Sequence, residues 1–298
     1  MTLPRMNCPR DDDYALWLEL LEVKASGRLL DALGDFLRDY LHSSGRKLYV
    51  LGLSGGIDSS FLAALLHSRG IPYLGFVLPI FTNSPEEIDR GRRVCEAYAN
   101  PPGHLRLSCL HDFSAVYGRI SSAFSDICGS ASALAEGNIK ARIRMLFLYH
   151  AAHLHAGCVL GTDQLDELLT GFWTLHGDVG DVSPIQLIPK TTEYELARLL
   201  CLRLNDPAPL QAAIEAVPTD GLGISASDLE QLEVSSYAAL EELFREYFGL
   251  CLRAQVHEPG PKERQRRAEL ERTGPVRRFL HSGHKRAGTV LADPRIAG

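Results

Sequence analysis

The chain has 298 residues, 45% of them hydrophobic and 23% charged, with a formal charge of −6. That is enough for one large α/β domain or two small ones, and the composition is that of an ordinary globular enzyme, not of a disordered or fibrous chain. Net acidity argues against a general pull toward nucleic acid, and no apolar run reaches membrane-spanning length, so neither is an expected partner.

Seven cysteines, at 8, 95, 109, 128, 158, 201 and 251, are scattered, odd in number and without a C-x-x-C pair. They read as reduced thiols of a cytoplasmic protein. Residues 1–10 lack the apolar core of a signal peptide. The charge is uneven: residues 262–298 hold ten Lys/Arg against four Asp/Glu. A basic tail on an acidic body commonly meets phosphate or the body's own acidic face.

In chain order, residues 12–42 carry apolar side chains at helical spacing, with a break at Ser26-Gly27. The run 47–53 is apolar and β-prone and predicts the first strand; a helix follows to His67. Gly70-Ile71-Pro72 turns the chain into a second strand over Tyr73–Leu78. Ser84-Pro85-Glu86-Glu87 is a helix start, with Ser84 as cap and Pro85 in the first turn, and the helix should run to about Ala99. Pro101-Pro102-Gly103 ends it, and Leu105–Leu107 reads as a short strand. Helices are expected over 112–128, 135–154, 192–203 and 229–248, and a buried strand over Cys158–Gly161. Residues 204–227, rich in Pro, Gly and Asp, read as a mobile loop and candidate lid. The strand–helix alternation with short apolar strands implies an α/β fold, a doubly wound parallel sheet with helices on both faces.

Between the first strand and its helix lies Ser54-Gly55-Gly56-Ile57-Asp58-Ser59-Ser60. A strand feeding a glycine turn feeding a helix is a phosphate cradle, because the helix start offers unpaired N–H groups and partial positive charge. The glycines let the backbone approach an anion, and the serines add hydroxyl donors. Asp58 repels phosphate unless a cation lies between, which points to Mg²⁺. There is no Lys after the glycines, so this is not the P-loop of kinases and GTPases. The S-G-G-x-D-S form is similar to the pyrophosphate loop of the ATP pyrophosphatase superfamily.

Three later segments carry chemistry. Gly137-Asn138-Ile139-Lys140-Ala141-Arg142-Ile143-Arg144-Met145 puts Asn138 with Arg142, and Lys140 with Arg144, one turn apart on a helix. That is either a surface for an anionic, polar ligand or a solvated basic face. Thr162, Asp163 and Glu167 follow the Cys158 strand, at the strand end where α/β sheets bind ligands; Glu167 offers a second carboxylate for Mg²⁺, and Thr162 or Asp163 can equally cap a helix. In the loop 171–181, Phe172 and Trp173 can stack a heteroaromatic ring, and Asp178 and Asp181 can bind sugar hydroxyls or an amine. Lys190, after a short apolar stretch, can neutralise charge on phosphate. His150, His153 and His155 lack a completing Cys or acid and do not make a zinc site.

Taken in order, these segments resemble the NAD synthetase family, which amidates deamido-NAD, from about Leu48 to Lys285. The pattern G-N-x-K-A-R-x-R-M, then G-T-D-x-x-x-E-x-x-T-G-F-x-T, then G-D-x-G-D and the Lys is far more specific than the first loop alone. Pro218-Thr219-Asp220 and His284-Lys285-Arg286 are similar to the family's later motifs. The resemblance implies an adenine-nucleotide α-hydrolase-like, Rossmann-like sheet. It implies that Ser54, Gly55, Gly56, Asp58, Ser59 and Ser60 hold ATP phosphates, with Asp58 and Glu167 on Mg²⁺. It implies that Thr162, Lys190 and Thr219 contact ATP, and that Arg142, Asp181, His284 and Lys285 contact deamido-NAD, beside Asn138, Arg144 and Asp178. Asp58, Glu167 and Lys190 would be the catalytic set.

The implied reaction joins the nicotinate carboxylate to the α-phosphorus of ATP, releasing pyrophosphate, before ammonia displaces AMP. The resemblance also implies a homodimer, with helices at 112–154 as candidate interface. The whole chain, 1–298, is expected to be one synthetase-like domain, with an N-terminal helical segment at 12–45 and a basic tail at 255–298. Only about 45 residues precede the first strand, too few for a glutaminase domain, so free ammonia or a separate glutaminase is the expected nitrogen source.

Three positions depart from the family pattern. Leu175 stands where the family has a Lys that meets deamido-NAD, the loop between Asp178 and Asp181 is one residue shorter, and Val77 precedes Leu-Pro where many relatives place Arg. These keep open an amide synthase acting on another carboxylic acid. A nucleic-acid-binding relative is opposed by the overall acidity, and a non-catalytic ATP-binding protein by the intact Asp58, Glu167 and Lys190.

Overall fold

The computed structural model describes residues 3–81, 83–101, 109–219 and 227–287. At its centre β1 (Tyr49–Gly52) lies between β2 (Tyr73–Phe76) and β3 (Cys158–Val159), both parallel to it. Parallel bridges Val77 to Leu110 and Leu160 to Val182 extend pairing at both edges. Strand side chains alternate between two cores, as a period of two requires. Tyr49 and Leu51 pack among α2 (Gly27–Ser44), α3 (Ile57–Ser68) and α8 (Lys190–Cys201). Leu48, Val50 and Phe76 face Met145, Leu148 and Ala152 of α6 (Ala133–Leu154). The sheet is therefore covered on both faces, as read from the sequence.

Local signals set most helix starts. Ser26 accepts from Leu29 N at 3.1 Å and opens α2. Ser84 and Glu87 form a reciprocal capping box at the start of α4 (Pro85–Tyr98). α5 (Ser114–Cys128) follows and lies against α6.

A second core joins α1 (Tyr14–Leu21), α7 (Leu165–Thr170), α11 (Tyr237–Val256) and α13 (Gly274–His281). Trp17 is its hub: fully buried, 6.2 Å from the Phe248 ring and 6.3 Å from Phe279, with Nε1 donating to Arg10 O at 3.0 Å.

Three expectations change. The helix expected over 229–248 is two, α10 (Asp228–Leu232) and α11, because Glu233 turns left-handed (φ 59°) and Ser236 caps a new start. The loop expected at 204–227 contains α9 (Ala208–Glu215), whose Leu210 and Ala213 are buried; residues 220–226 lie outside the described residues, as does the strand expected at 105–107. The basic tail folds into α12 (Pro261–Leu270), α13 and α14 (Gly283–Arg286), with 288–298 outside the described residues. Its charge meets the body's own acids: Arg266 bonds Glu246 at 2.6 Å, and buried Arg286 bonds Asp11 at 2.7 Å while donating to the carbonyls of Leu168 and Leu169. No helix among the described residues is long and apolar enough to cross a membrane.

Trp17→Ala removes the hub of the second core and should lower unfolding free energy by about 3–5 kcal/mol in urea titration.

Candidate active site

A cleft of about 550 Å³ opens at the carboxyl ends of the three strands, where parallel sheets bind ligands. Its floor is the glycine loop. Gly55 has φ +85°, and a Cβ there would lie 2.3 Å from Glu87 O, so only glycine fits. The loop's hydroxyls are largely engaged in holding its shape. Ser59 Oγ accepts from Ser54 N at 3.2 Å, Ser54 Oγ accepts from Gly56 N at 3.2 Å, and Ser60 Oγ donates to Gly56 O at 2.7 Å. Arg90 Nε donates to Gly55 O at 3.0 Å from α4. Ser54, Gly56 and Asp58 line the cleft; buried Ser59 and Ser60, with Gly55, build the loop from behind. Gly56 gives α3 no side-chain cap, so its first-turn N–H groups remain for an anion.

Asp58 Oδ1 accepts from Lys190 Nζ across the cleft. Glu193 Oε2 lies 3.3 Å from the same ammonium, without the alignment of a hydrogen bond. Burial opposes the charge of Lys190, but Asp58, Glu193 and Glu167 outweigh it and hold the ammonium well above its ordinary value. Burial, then Asp58, pushes the Glu193 carboxyl well up. The rings of Tyr194 and Tyr237 flank Lys190 Nζ at 5.9 and 5.8 Å.

On the next strand end, Thr162, Asp163 and Glu167 also line the cleft. Glu167 Oε2 accepts from Gln164 N at 3.0 Å in a capping box, so Gln164, and neither Thr162 nor Asp163, caps α7. Burial, then Asp58 and Asp163, raises the Glu167 carboxyl; burial, then Asp178 and Asp58, raises Asp163, whose Oδ2 has no partner. Acids this crowded lack positive charge, which is what a bound cation supplies. No group of three or more His, Cys, Asp or Glu among the described residues is arranged to hold a metal alone. Asp58 and Glu167 fit Mg²⁺, which takes one or two carboxylates and completes its shell from phosphate and water.

The far wall comes from α6 and the loop after α7. Asn138 Oδ1 accepts from Thr174 Oγ1 at 2.7 Å. Arg144 donates to Leu78 O at 2.9 Å and to Asn83 Oδ1 at 2.8 Å; burial lowers its guanidinium, partly offset by Asp178 and Glu87. Asp178 accepts from Thr174 N, and burial leaves its carboxyl raised despite that bond and the Arg144 and Lys285 charges. Lys285 donates to Gly171 O at 2.7 Å and to Trp173 O, 5.3 Å from the Trp173 ring centre. Thr219, at the rim, donates to Glu87.

Three expected site residues lie elsewhere. Asp181 Oδ2 accepts from Val159 N at 2.7 Å, and its own N–H donates to Val159 O at 2.8 Å, so it fastens the loop after α7 to β3 instead of facing the cleft. Arg142 is exposed and donates to Leu175 O at 3.2 Å; His284 is exposed beside Lys285. Sequence reasoning missed Glu193, Asn83, Glu87, Arg90 and Arg278, which touch or line the cleft. Glu193 had a legible signal, one helical turn after Lys190; the others converge only in space.

A parallel sheet covered on both faces, with a glycine loop at a helix start and a lysine–carboxylate cluster beyond the strand ends, makes this a Rossmann-like α/β protein. The NAD synthase family model matches residues 29–286, and the chain belongs to that family. It is 31% identical over 224 residues to the NH(3)-dependent NAD(+) synthetase of Thermoplasma acidophilum, covering 74% of this chain and 83% of that one. It is 32% identical over 218 residues to that of Methanococcoides burtonii, covering 72% and 77%. In fold it is similar to the NMN synthetase of Francisella tularensis (TM-score 0.69, 21% identity, 90% and 98% covered). The same holds for the NH3-dependent NAD synthetase of Campylobacter jejuni (TM-score 0.61, 21% identity, 89% and 98% covered).

Gly55→Ala forces strain at a positive φ and a backbone clash; it should cost about 1–3 kcal/mol in thermal or urea unfolding and weaken ATP binding measured by calorimetry.

Proposed function

We propose that this protein is an ammonia-dependent NAD synthetase, forming NAD, AMP and pyrophosphate from deamido-NAD, ATP and ammonia. The observation that carries the reading is the Asp58–Lys190 contact beside Glu167, opposite a glycine loop at a helix start, in a chain of the NAD synthase family.

The chemistry follows from what a carboxylate lacks. Ammonia cannot expel oxide from it, so the carboxylate oxygen first attacks the α-phosphorus of ATP, and the bond to pyrophosphate breaks. Ammonia then attacks the acyl carbon and AMP departs with the bonding electrons. The loop of Ser54, Gly56 and the α3 N-terminus binds the phosphates, and Thr162 and Thr219 hold the nucleotide. Lys190 donates to the oxygens on which charge develops. Asp58 and Glu167 hold Mg²⁺, which neutralises phosphate charge when bound. The buried carboxylates of Asp163 and Asp178 favour an ammonium ion, and Asp178 is suited to take its proton as the amide forms. Alignment of the two substrates does much of the work, and no enzyme-linked intermediate is needed.

The working form is a homodimer through α5 and α6. In α5 only Tyr117 is buried, while Phe124, Ile127, Leu134 and Leu146 leave an apolar surface over the two helices, Ile127 at 78% exposure. A second copy covers that surface and brings Arg142, exposed on the same helix, toward a neighbouring cleft.

Purified protein given ATP, Mg²⁺, ammonium and deamido-NAD should yield AMP, pyrophosphate and NAD in equal amounts, and Lys190→Met should lower kcat roughly a hundredfold. AMP release independent of deamido-NAD would sink the reading. In sedimentation, Ile127→Asp should shift the dimer toward monomer.

A further inference from the structure

Lys190 is the first residue of α8, and the cap before it, Pro189, supplies no side-chain hydrogen bond. The first-turn N–H groups must find acceptors elsewhere. They find two buried carboxylates from other helices. Asp166 Oδ1, on α7, accepts from Lys190 N at 3.3 Å. Glu241, on α11, accepts from Thr191 N at 3.0 Å through Oε1 and from Thr191 Oγ1 at 2.8 Å through Oε2.

Neither acid is free to move. Asp166 is fixed within α7, next to Glu167 in sequence, and its backbone N–H is capped by Gln164. Glu241 is held by Arg245 at 3.3 Å, and Arg245 is itself tied to Glu22 and to Leu21 O, each at 2.8 Å. Thr192 completes the grip by donating to Val23 O at 2.8 Å. The start of α8 is thus clamped from α7, from α11 and from the connector after α1. A negative pair at a helix N-terminus is also favoured by the helix dipole.

We infer that Asp166 and Glu241 are positioning residues for Lys190, setting the backbone from which its ammonium reaches Asp58 and the reacting phosphates. The two touch no substrate themselves; they act by fixing the first turn of α8 relative to Glu167. This rests on the role of Lys190 proposed above.

The test compares AMP formation by full-length variants in wild-type and Lys190→Met backgrounds. Asp166→Ala and Glu241→Ala should each lower kcat roughly ten- to a hundredfold, the size expected of a displaced reacting group, with little change in KM for ATP. Asp166→Asn and Glu241→Gln keep acceptor oxygens and should recover most of the loss. In the Lys190→Met background the alanine changes should cost nothing further, since the group they position is gone. Equal losses in both backgrounds, or amide variants no better than alanine, would overturn the inference; should the alanine variants fail to fold, folded amide variants with kcat lowered roughly tenfold or more would overturn it, since they keep the acceptor oxygens. A Lys190→Met enzyme with the wild-type rate would instead refute the role of Lys190, and the positioning role with it.

Discussion

Lys190 holds one buried positive charge against Asp58, Glu193 and Glu167, and the cleft is organised around that imbalance. Removing one partner of a buried ion pair costs about 3–5 kcal/mol, because the remaining charge is stranded. The ammonium therefore has to stay where it is, and three parts of the fold converge to keep it there. The order β2-β1-β3 puts the α3 start and the 162–167 segment side by side. The glycine loop turns Asp58 into the cleft, and α8 enters from the opposite side with Lys190 at its head. Each part is ordinary; their meeting point leaves Asp163 Oδ2 without a hydrogen-bond partner, a local cost that a bound cation would offset.

Those features that depend on a few neighbouring residues were legible in the sequence. The Ser84–Glu87 capping box and the break at Ser26 are set by contacts within one helical turn, and the glycine loop shows in its own residues even though α4 also braces it. The alternation of strands and helices gave the covered parallel sheet, because a strand buried on both faces must be apolar throughout. The break at Glu233–Ser236 was also available, since Ser236 is a strong cap residue, but apolar periodicity running through it hid the stop.

Long-range partners were not legible. Asp181 looked like a ligand residue because a carboxylate in a glycine-rich loop has no local partner. It finds one in Val159 N only when the loop lies along β3, and Gly180 permits that approach, since a Cβ there would sit 2.5 Å from Val159 O. For the basic C-terminal segment the sequence left phosphate and the body's own acidic face both open, because the partners that decide it, Glu246 and Asp11, stand 20 and 275 positions away. Asp166 and Glu241 belong to this group as well, being ordinary helix acids until α7, α8 and α11 meet.

The wall of the cleft around Trp173 and Asp178 carries its cations in fixed positions. The nearby cations are Arg144, Lys285 and Arg278, and each is already bonded to backbone: to Leu78 O, to Gly171 O, and to Gln231 O at 2.8 Å. They are therefore fixed charges in the wall, unlike a lysine that swings onto its ligand. Fixed charges lose less entropy on binding, so the wall is preorganised for an anionic or polar group. Arg142 is different. It is exposed, and its Nε is held by Leu175 O, so the loop after α7 braces an arginine on the outer face of α6. A second copy of the chain seated on α5 and α6 would shield this Arg142–Leu175 contact from water, and a charged hydrogen bond is stronger in such a drier setting.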